Sequence, residues 1–362
     1  MSTSGPGMRL TILNTVRGEP ALLRDPWDVL VSGPAPDAVR IGLAVPLSGP
    51  LAMTAPSALD LAALAAEECT EAGGVGGRRV ELVAVDAGRA PEVAAAEAVG
   101  LREAGVFDSL VGFHTSDVHR TLARAWAGRG TYVFTPPHEG GRSLPGVRRT
   151  GHGPHTQHAA ALSWLVTHRR ATRWVLLGTD YVWPRAVHRA ARATLTSLGA
   201  QVVGEALVPF GPGDPGPLLD LVVRGRADAV LLSLVGRDLA LFHREFARAG
   251  LDRRVVRLSG ALEENGLYAL GGDATGELYA TMPSFAASPA SADERQLALQ
   301  ERHARRAGVD APVVCAYARG LYDGVRLAGA LLAGHGRSGP TGTPPPRLAR
   351  AEGLTFTELA AG

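Results

Sequence analysis

Short apolar runs alternate with longer stretches in which apolar residues recur every three or four positions, and this rhythm holds for most of the chain. Arg40 to Val45, Arg79 to Val85, Leu110 with Val111, and Thr131 to Phe134 read as buried strands. Pro56 to Glu71, Pro91 to Ala104 and the stretch from Val118 read as helices, the first with Leu59, Ala62, Ala63, Ala66 and Cys69 on its inner face. That order, strand then helix repeatedly, predicts a parallel sheet covered by helices on both sides. After Gly151-His152-Gly153-Pro154 the rhythm restarts. Helices at His155 to Thr167, Arg185 to Leu198, Gly216 to Arg224 and Leu239 to Ala249 alternate with strands at Arg173 to Leu177, Gln201 to Ala206, Ala229 to Leu234, Val255 to Leu258 and Leu278 to Met282.

Two further helices, Ala292 to Ala307 and Pro312 to Leu332, follow without a strand between them, so they are expected to return to the first lobe. The predicted organisation is an α/β protein of two Rossmann-like lobes. Residues 1–38 form an extension, 39–151 with 284–333 the first lobe, 152–283 the second, and 334–362 a flexible tail with a strand-like piece at Leu354 to Thr357. Within the extension, Leu10 to Leu13 and Trp27 to Val31 are apolar enough to pack on the body.

A length of 362 residues exceeds one ordinary core, which agrees with two lobes. The 37 basic and 35 acidic residues leave a net charge of +2, too little to drive binding to nucleic acid or acidic membranes. All 37 are arginine and lysine is absent; Asn and Ile occur twice each. Codons rich in A and T are thus avoided throughout, and the arginines carry little evidence for phosphate binding. Cys69 and Cys315 lie far apart in predicted helices and read as separate thiols. The amino-terminal stretch shows no apolar signal core, cleavage site or lipoprotein cysteine, and no run approaches the ~18 apolar residues of a membrane span. The expected location is the cytoplasm, or outside it if the gene start is misplaced.

Chemistry concentrates in the loops after strands. Thr115, Ser116 and Asp117 stand where a helix opens beyond Leu110 to Gly112, and Thr135-Pro136-Pro137-His138-Glu139-Gly140 follows the next strand to the same rim. Ligands bind in open parallel sheets at such a rim, where loops part and helix-start N–H groups face outward. Asp180-Tyr181-Val182-Trp183-Pro184-Arg185 offers a matching aromatic loop in the second half. The run Gly73 to Gly77 follows a helix and precedes a strand, the reverse of a phosphate loop, and reads as a turn.

Ile41-Gly42 with Pro46-Leu47-Ser48-Gly49, Ala72 to Arg78, Leu110 to Ser116, Thr135 to Gly141 and above all Asp180 to Arg185 together resemble type I solute-binding proteins, over about Arg40 to Leu332. The closer likeness is to the branch holding the urea-binding component of ABC importers and the cytoplasmic amide sensor of bacterial amidase operons. The resemblance implies two lobes joined by crossover strands and closing on a ligand, with no catalysis and no cofactor. It implies that Ser116, beside His114 and Thr115, hydrogen-bonds the ligand, and that Tyr181 and Trp183 close over it. Phe134, Thr135 and Pro136 take pocket positions, Phe134 and Pro136 replacing hydroxyl-bearing residues of the amide sensor; Ser48 and Glu264 lie in loops that line the cleft. Family members continue past the equivalent of Leu354 to Thr357 into a hairpin and final strand, so the carboxyl-terminal hairpin is expected to be missing. The implied partners are a small amide-like solute and either an antiterminator-like regulator or the membrane subunits of an importer. An uncovered sheet edge would also favour self-association.

Other chemistries fit less well. His152, His155 and His158 recur at threes, and a helix would bring the last two to one face, but no further ligand pattern accompanies them and no metal site is expected. His119, past the helix start, is expected at the surface. A hydrolase would need Ser116 as nucleophile, His138 as base and Glu139 or Asp180 to orient it, yet the strand-to-helix elbow GxSxG is absent. The expected activity is binding of a small solute (urea, a short-chain amide or an amino-acid-like ligand) as a cytoplasmic ligand sensor; the alternative is the substrate-binding component of an ABC importer.

Overall fold

The computed structural model describes residues 23–211, 213–286, 293–334 and 343–359. In the first half, strands β1 (Leu23–Arg24), β2 (Ala38–Val45), β3 (Arg79–Asp86), β4 (Ser109–Gly112), β5 (Tyr132–Phe134) and β6 (Val147–Arg149) form one sheet in the order β1-β3-β2-β4-β5-β6, parallel throughout. Helices α1 (Pro26–Ser32), α2 (Ala55–Glu71), α3 (Pro91–Glu103) and α4 (Ser116–Trp126) intervene. All eight residues of β2 are buried, as expected of a central strand covered on both faces. The extension adds β1 to the sheet edge and seats Val29 of α1, while Trp27 and Val31 remain exposed. Leu10 to Leu13 lies outside the described residues.

The second half carries α5 (Pro154–Arg169), β7 (Arg173–Thr179), α6 (Val182–Ser197), β8 (Gln201–Val208), α7 (Gly216–Arg224), β9 (Ala229–Ser233), α8 (Gly236–Arg248), β10 (Val256–Ser259), α9 (Glu264–Leu270) and β11 (Leu278–Met282). The chain then returns through α10 (Glu294–Ala307) and α11 (Ala316–Leu332), which pack on α2; α11 also covers β4 and β5. Arg302 donates to Glu68 at 2.7 Å and Arg306 to Glu67 at 2.6 Å, tying α10 to α2.

The expected loss of the carboxyl-terminal hairpin is wrong. Strands β12 (Arg347–Glu352) and β13 (Thr355–Glu358) pair antiparallel, and β12 also pairs antiparallel with β11, giving a seven-stranded second sheet in the order β13-β12-β11-β10-β9-β7-β8. A tight turn at Gly353, with φ of 67°, closes the hairpin. Ala349, Ala351 and Phe356 are buried by it, so residues 347–359 are part of the second lobe and the edge of β11 is covered. Both cysteines are free thiols, and no helix among the described residues is long and apolar enough to cross a membrane.

Candidate functional site

The site is built on the start of α4. Strand β4 ends at Gly112, Phe113 and His114 lead on, and Thr115 is the N-cap in extended conformation with no side-chain cap hydrogen bond. The first N–H groups of the helix are therefore available to an acceptor and carry the positive end of its dipole. Ser116 is 2% exposed beside them. Gly112 is needed for room rather than for an unusual backbone angle, because an added Cβ would stand 2.6 Å from His114 Nε2.

A buried polar chain supports this floor. His114 Nδ1 lies 3.1 Å from the Thr115 carbonyl and so donates to it, which leaves Nε2 as the acceptor from the Tyr132 hydroxyl at 3.0 Å. Tyr132 can then accept from His119 Nδ1 at 3.0 Å, fixing both neutral tautomers. Burial holds His114 down to about 4, and burial with the nearby His114 holds His119 down to about 2. His119, expected at the surface, is thus core, stacked on Phe134 with ring centroids 4.0 Å apart.

Across from Ser116, the second lobe contributes Tyr181, Trp183 and Val235 to the same cavity, which His114, Thr115 and Pro136 also line. Tyr181 is the N-cap of α6 and Trp183 sits in its first turn, a turn earlier than expected; Pro184 is accommodated there because a first-turn N–H needs no partner. Tyr181 stacks on Phe210 at 5.1 Å. The Nε1 donor of Trp183 is buried without a partner among the described residues, as are Asp117 Oδ1 and Glu139 Oε2. Both of these carboxylates are close enough, after burial and Tyr317, to help push the Tyr181 hydroxyl upward. The cavity therefore faces an uncapped helix start and an unpaired indole N–H, with carboxylate oxygens nearby.

The lobes are shut. The space left between these side chains is about 20 Å³, room for one water, so a bound solute would hold the lobes further apart than they are here. Arg237 N–H donates to the Pro50 carbonyl at 3.2 Å, and the Thr54 hydroxyl lies 3.3 Å from Glu263 Oε1, both across the lobes. At Gly236 an added Cβ would be 2.0 Å from the Pro50 carbonyl oxygen, so this contact requires glycine.

Four predicted residues lie elsewhere. Phe134 is fully buried in the first lobe beneath the histidines, because an inward-facing strand residue before the loop meets α4 rather than the rim. Thr135 donates to the Gly112 carbonyl at 3.1 Å and lines a separate cavity at the crossovers. Ser48 borders a chamber of about 220 Å³ that shares Leu51 and Thr115 with the cleft. Glu264 starts α9, 2% exposed, and accepts from Ala286 N–H at 2.6 Å; burial and Glu263 raise its carboxyl to about 8. Its neighbour Glu263 is the one that reaches the first lobe.

Tyr317, in the first turn of α11, was missed: it lines the cleft and stacks on Phe113 at 4.8 Å. The signal was an aromatic residue opening a helix that returns to the first lobe. His155 is exposed and His158 buried, so the helix turns them apart rather than together, and no cluster among the described residues is arranged to hold a metal. His138 Nδ1 accepts from Gly140 N–H at 3.0 Å, and both nitrogens of His114 are engaged, which leaves neither poised as a base on Ser116.

Residues 38–361 match the family model described as periplasmic binding protein. The leucine-, isoleucine-, valine-, threonine- and alanine-binding protein of Pseudomonas aeruginosa is 24% identical over 69% of this chain and 67% of its own length. A periplasmic binding protein from Burkholderia mallei superposes with a TM-score of 0.74 at 18% identity, covering 90% of this chain and 95% of that one. An ABC transporter substrate-binding protein from Sphaerobacter thermophilus gives 0.71 at 23% identity, covering 89% and 96%.

Proposed function

This chain belongs to the periplasmic binding protein family, of type I, and we propose that it binds one small solute carrying an amide or carboxylate oxygen and an N–H-bearing group, by closing its lobes on it. The observation that carries this reading is the uncapped start of α4 with Ser116, set across a shut cleft from the unpaired Trp183 Nε1. The solute's oxygen accepts from the α4 N–H groups and Ser116, its N–H group is directed toward Asp117 of the adjoining chamber, and Tyr181, Trp183, Val235 and Tyr317 cover its apolar part. Closure follows because only the closed state offers both sets of contacts. An amide such as acetamide or urea and an amino acid such as leucine both meet this description, and the names of the relatives favour the amino acid.

The proposed setting is an importer, as its solute-binding component, which the relatives' names support; the second reading is a ligand sensor that passes its closed state to a regulatory protein. Thermal-shift screening against acetamide, urea, L-leucine, L-isoleucine and L-valine tests the binding. A true ligand at a hundredfold excess over its Kd should stabilise the protein by about 2.7 kcal/mol. No shift with any of them contradicts the proposed ligand class. Pull-down from native cells, with and without that ligand, separates the settings: capture of importer membrane subunits supports transport, and capture of a soluble regulator supports sensing.

A further inference from the structure

All three connections between the lobes border one cavity. Thr150 to His152 leave β6 for α5, Met282 to Ser284 leave β11, and Thr343 with Pro344 approach β12; together with the face of α11 they enclose about 490 Å³. That is the size of a small-molecule site, and far larger than the shut cleft, with which it shares only Pro137 and Tyr317.

The lining is divided by chemistry. Met282, Pro283, Ala316 and Leu327 make an apolar wall. Opposite in character are Arg148 and Arg149 of β6, neither of which has a carboxylate partner among the described residues; Arg149 spends its donors on the Gly140 carbonyl, at 2.6 Å, on the Gly141 carbonyl and on Ser143. Arg149 is near enough to depress His138 and His119, so its charge is felt locally, although burial is the larger cause in both. Arg319 is already occupied by Gln296 at 2.7 Å and Asp293 at 3.3 Å, and Asp323, 3.9 Å from it, is the one carboxylate on the wall. Ser284, 2% exposed, lines the cavity with its hydroxyl unpartnered among the described residues. An apolar wall, an excess of uncompensated guanidinium and a spare buried donor suit an anion with an apolar body.

We propose that the hinge cavity is a second ligand site, taking a small organic acid whose carboxylate pairs with Arg148 and whose body lies on Met282, Pro283 and Leu327. Benzoate is the probe, with benzyl alcohol as its uncharged counterpart, and the full chain is titrated by calorimetry. Benzoate should bind one to one with Kd below about 1 mM, benzyl alcohol at least about tenfold more weakly, and Arg148→Gln should weaken benzoate by at least about tenfold. Arg148 is solvent-exposed on a strand, so its replacement leaves the core untouched. Ser284→Ala provides a second variant, expected to weaken benzoate severalfold. Failure of benzoate to bind at 10 mM, equal binding of the alcohol, or binding lost in Ser116→Ala but kept in Arg148→Gln overturns the proposal; the last outcome would put benzoate in the interlobe cleft.

Discussion

The first lobe meets the cleft through the start of a helix, where Thr115 and Ser116 sit over a fixed chain of His114, Tyr132 and His119. The second meets it through Tyr181, Trp183 and Val235, side chains that offer surface and a single unpaired N–H. The contrast teaches where selectivity and closure reside. In the proposed binding mode, oriented donors set on a rigid floor choose the solute's polar end, whereas rings on the other lobe reward closure by removing apolar surface from water. A similar division holds in the cores. The first lobe buries Arg40 against Glu81 at 2.9 Å on β2 and β3, and the second buries Arg257 of β10 against Asp273 at 2.8 Å.

The largest expected effect breaks that symmetry of support. Arg257 is 1% exposed and also donates to Thr275 and to the Asp252 carbonyl, both at 2.9 Å. Arg257→Ala should cost about 3–5 kcal/mol, because the buried Asp273 carboxylate keeps its Thr275 hydrogen bonds but loses its counter-charge. Denaturant unfolding measures it, and a loss below about 1 kcal/mol would mean that the pair is dispensable to the second lobe.

Acid should next weaken both lobes. His114, held down to about 4 by burial, is neutral in the folded protein, while its unfolded counterpart titrates near 6.5. The unfolded state therefore binds more protons between those values, so stability is complete above pH 6.5 and falls as pH drops toward 4, by about 3 kcal/mol for this one group. His138 and His158 are depressed to about 4 for the same first reason, burial, and add to the slope. Melting followed at pH 7.5, 6.0 and 5.0 should show the decline, and His114→Gln should flatten it in part. A profile level across that range would contradict the neutral, fixed chain beneath Ser116.

A smaller effect is expected where the lobes touch. Gly236 has φ of 53° and its Cβ position is occupied by the Pro50 carbonyl, so Gly236→Ala should prop the cleft open. Solute affinity should fall at least about tenfold, or about 1.4 kcal/mol, beyond the modest loss of stability that an alanine at positive φ brings by itself. Unaltered affinity would show that the Pro50 contact is incidental to closure.

Much of this was legible in the sequence. Strands β2, β3, β7 and β9 are mostly apolar runs, and their alternation with helices fixes a parallel two-sheet plan. His114, Thr115, Ser116, Pro136, Tyr181 and Trp183 lie around one cavity because each follows the carboxyl end of a strand, which is where such sheets open. The hairpin was hidden because β12 buries only Ala349 and Ala351, on either side of Arg350, too weak an apolar alternation to mark a strand. Phe134 was misplaced because one residue along a strand exchanges rim for core. Tyr317 and the crossover cavity depend on how α11 returns to the first lobe, a long-range fact that local periodicity does not carry.

The proposed cleft requires one solute to be held by both lobes at once. Calorimetric titration of the solute that gives the largest thermal shift, in wild type, Ser116→Ala and Trp183→Phe, tests this most directly. Ser116→Ala removes one oxygen on the first lobe, and Trp183→Phe keeps a ring but removes the unpaired N–H on the second. Each should weaken binding by about 1 kcal/mol, roughly fivefold, while leaving the fold intact. Wild-type affinity in either variant would mean that its lobe does not grip the solute, and would contradict the two-sided cleft.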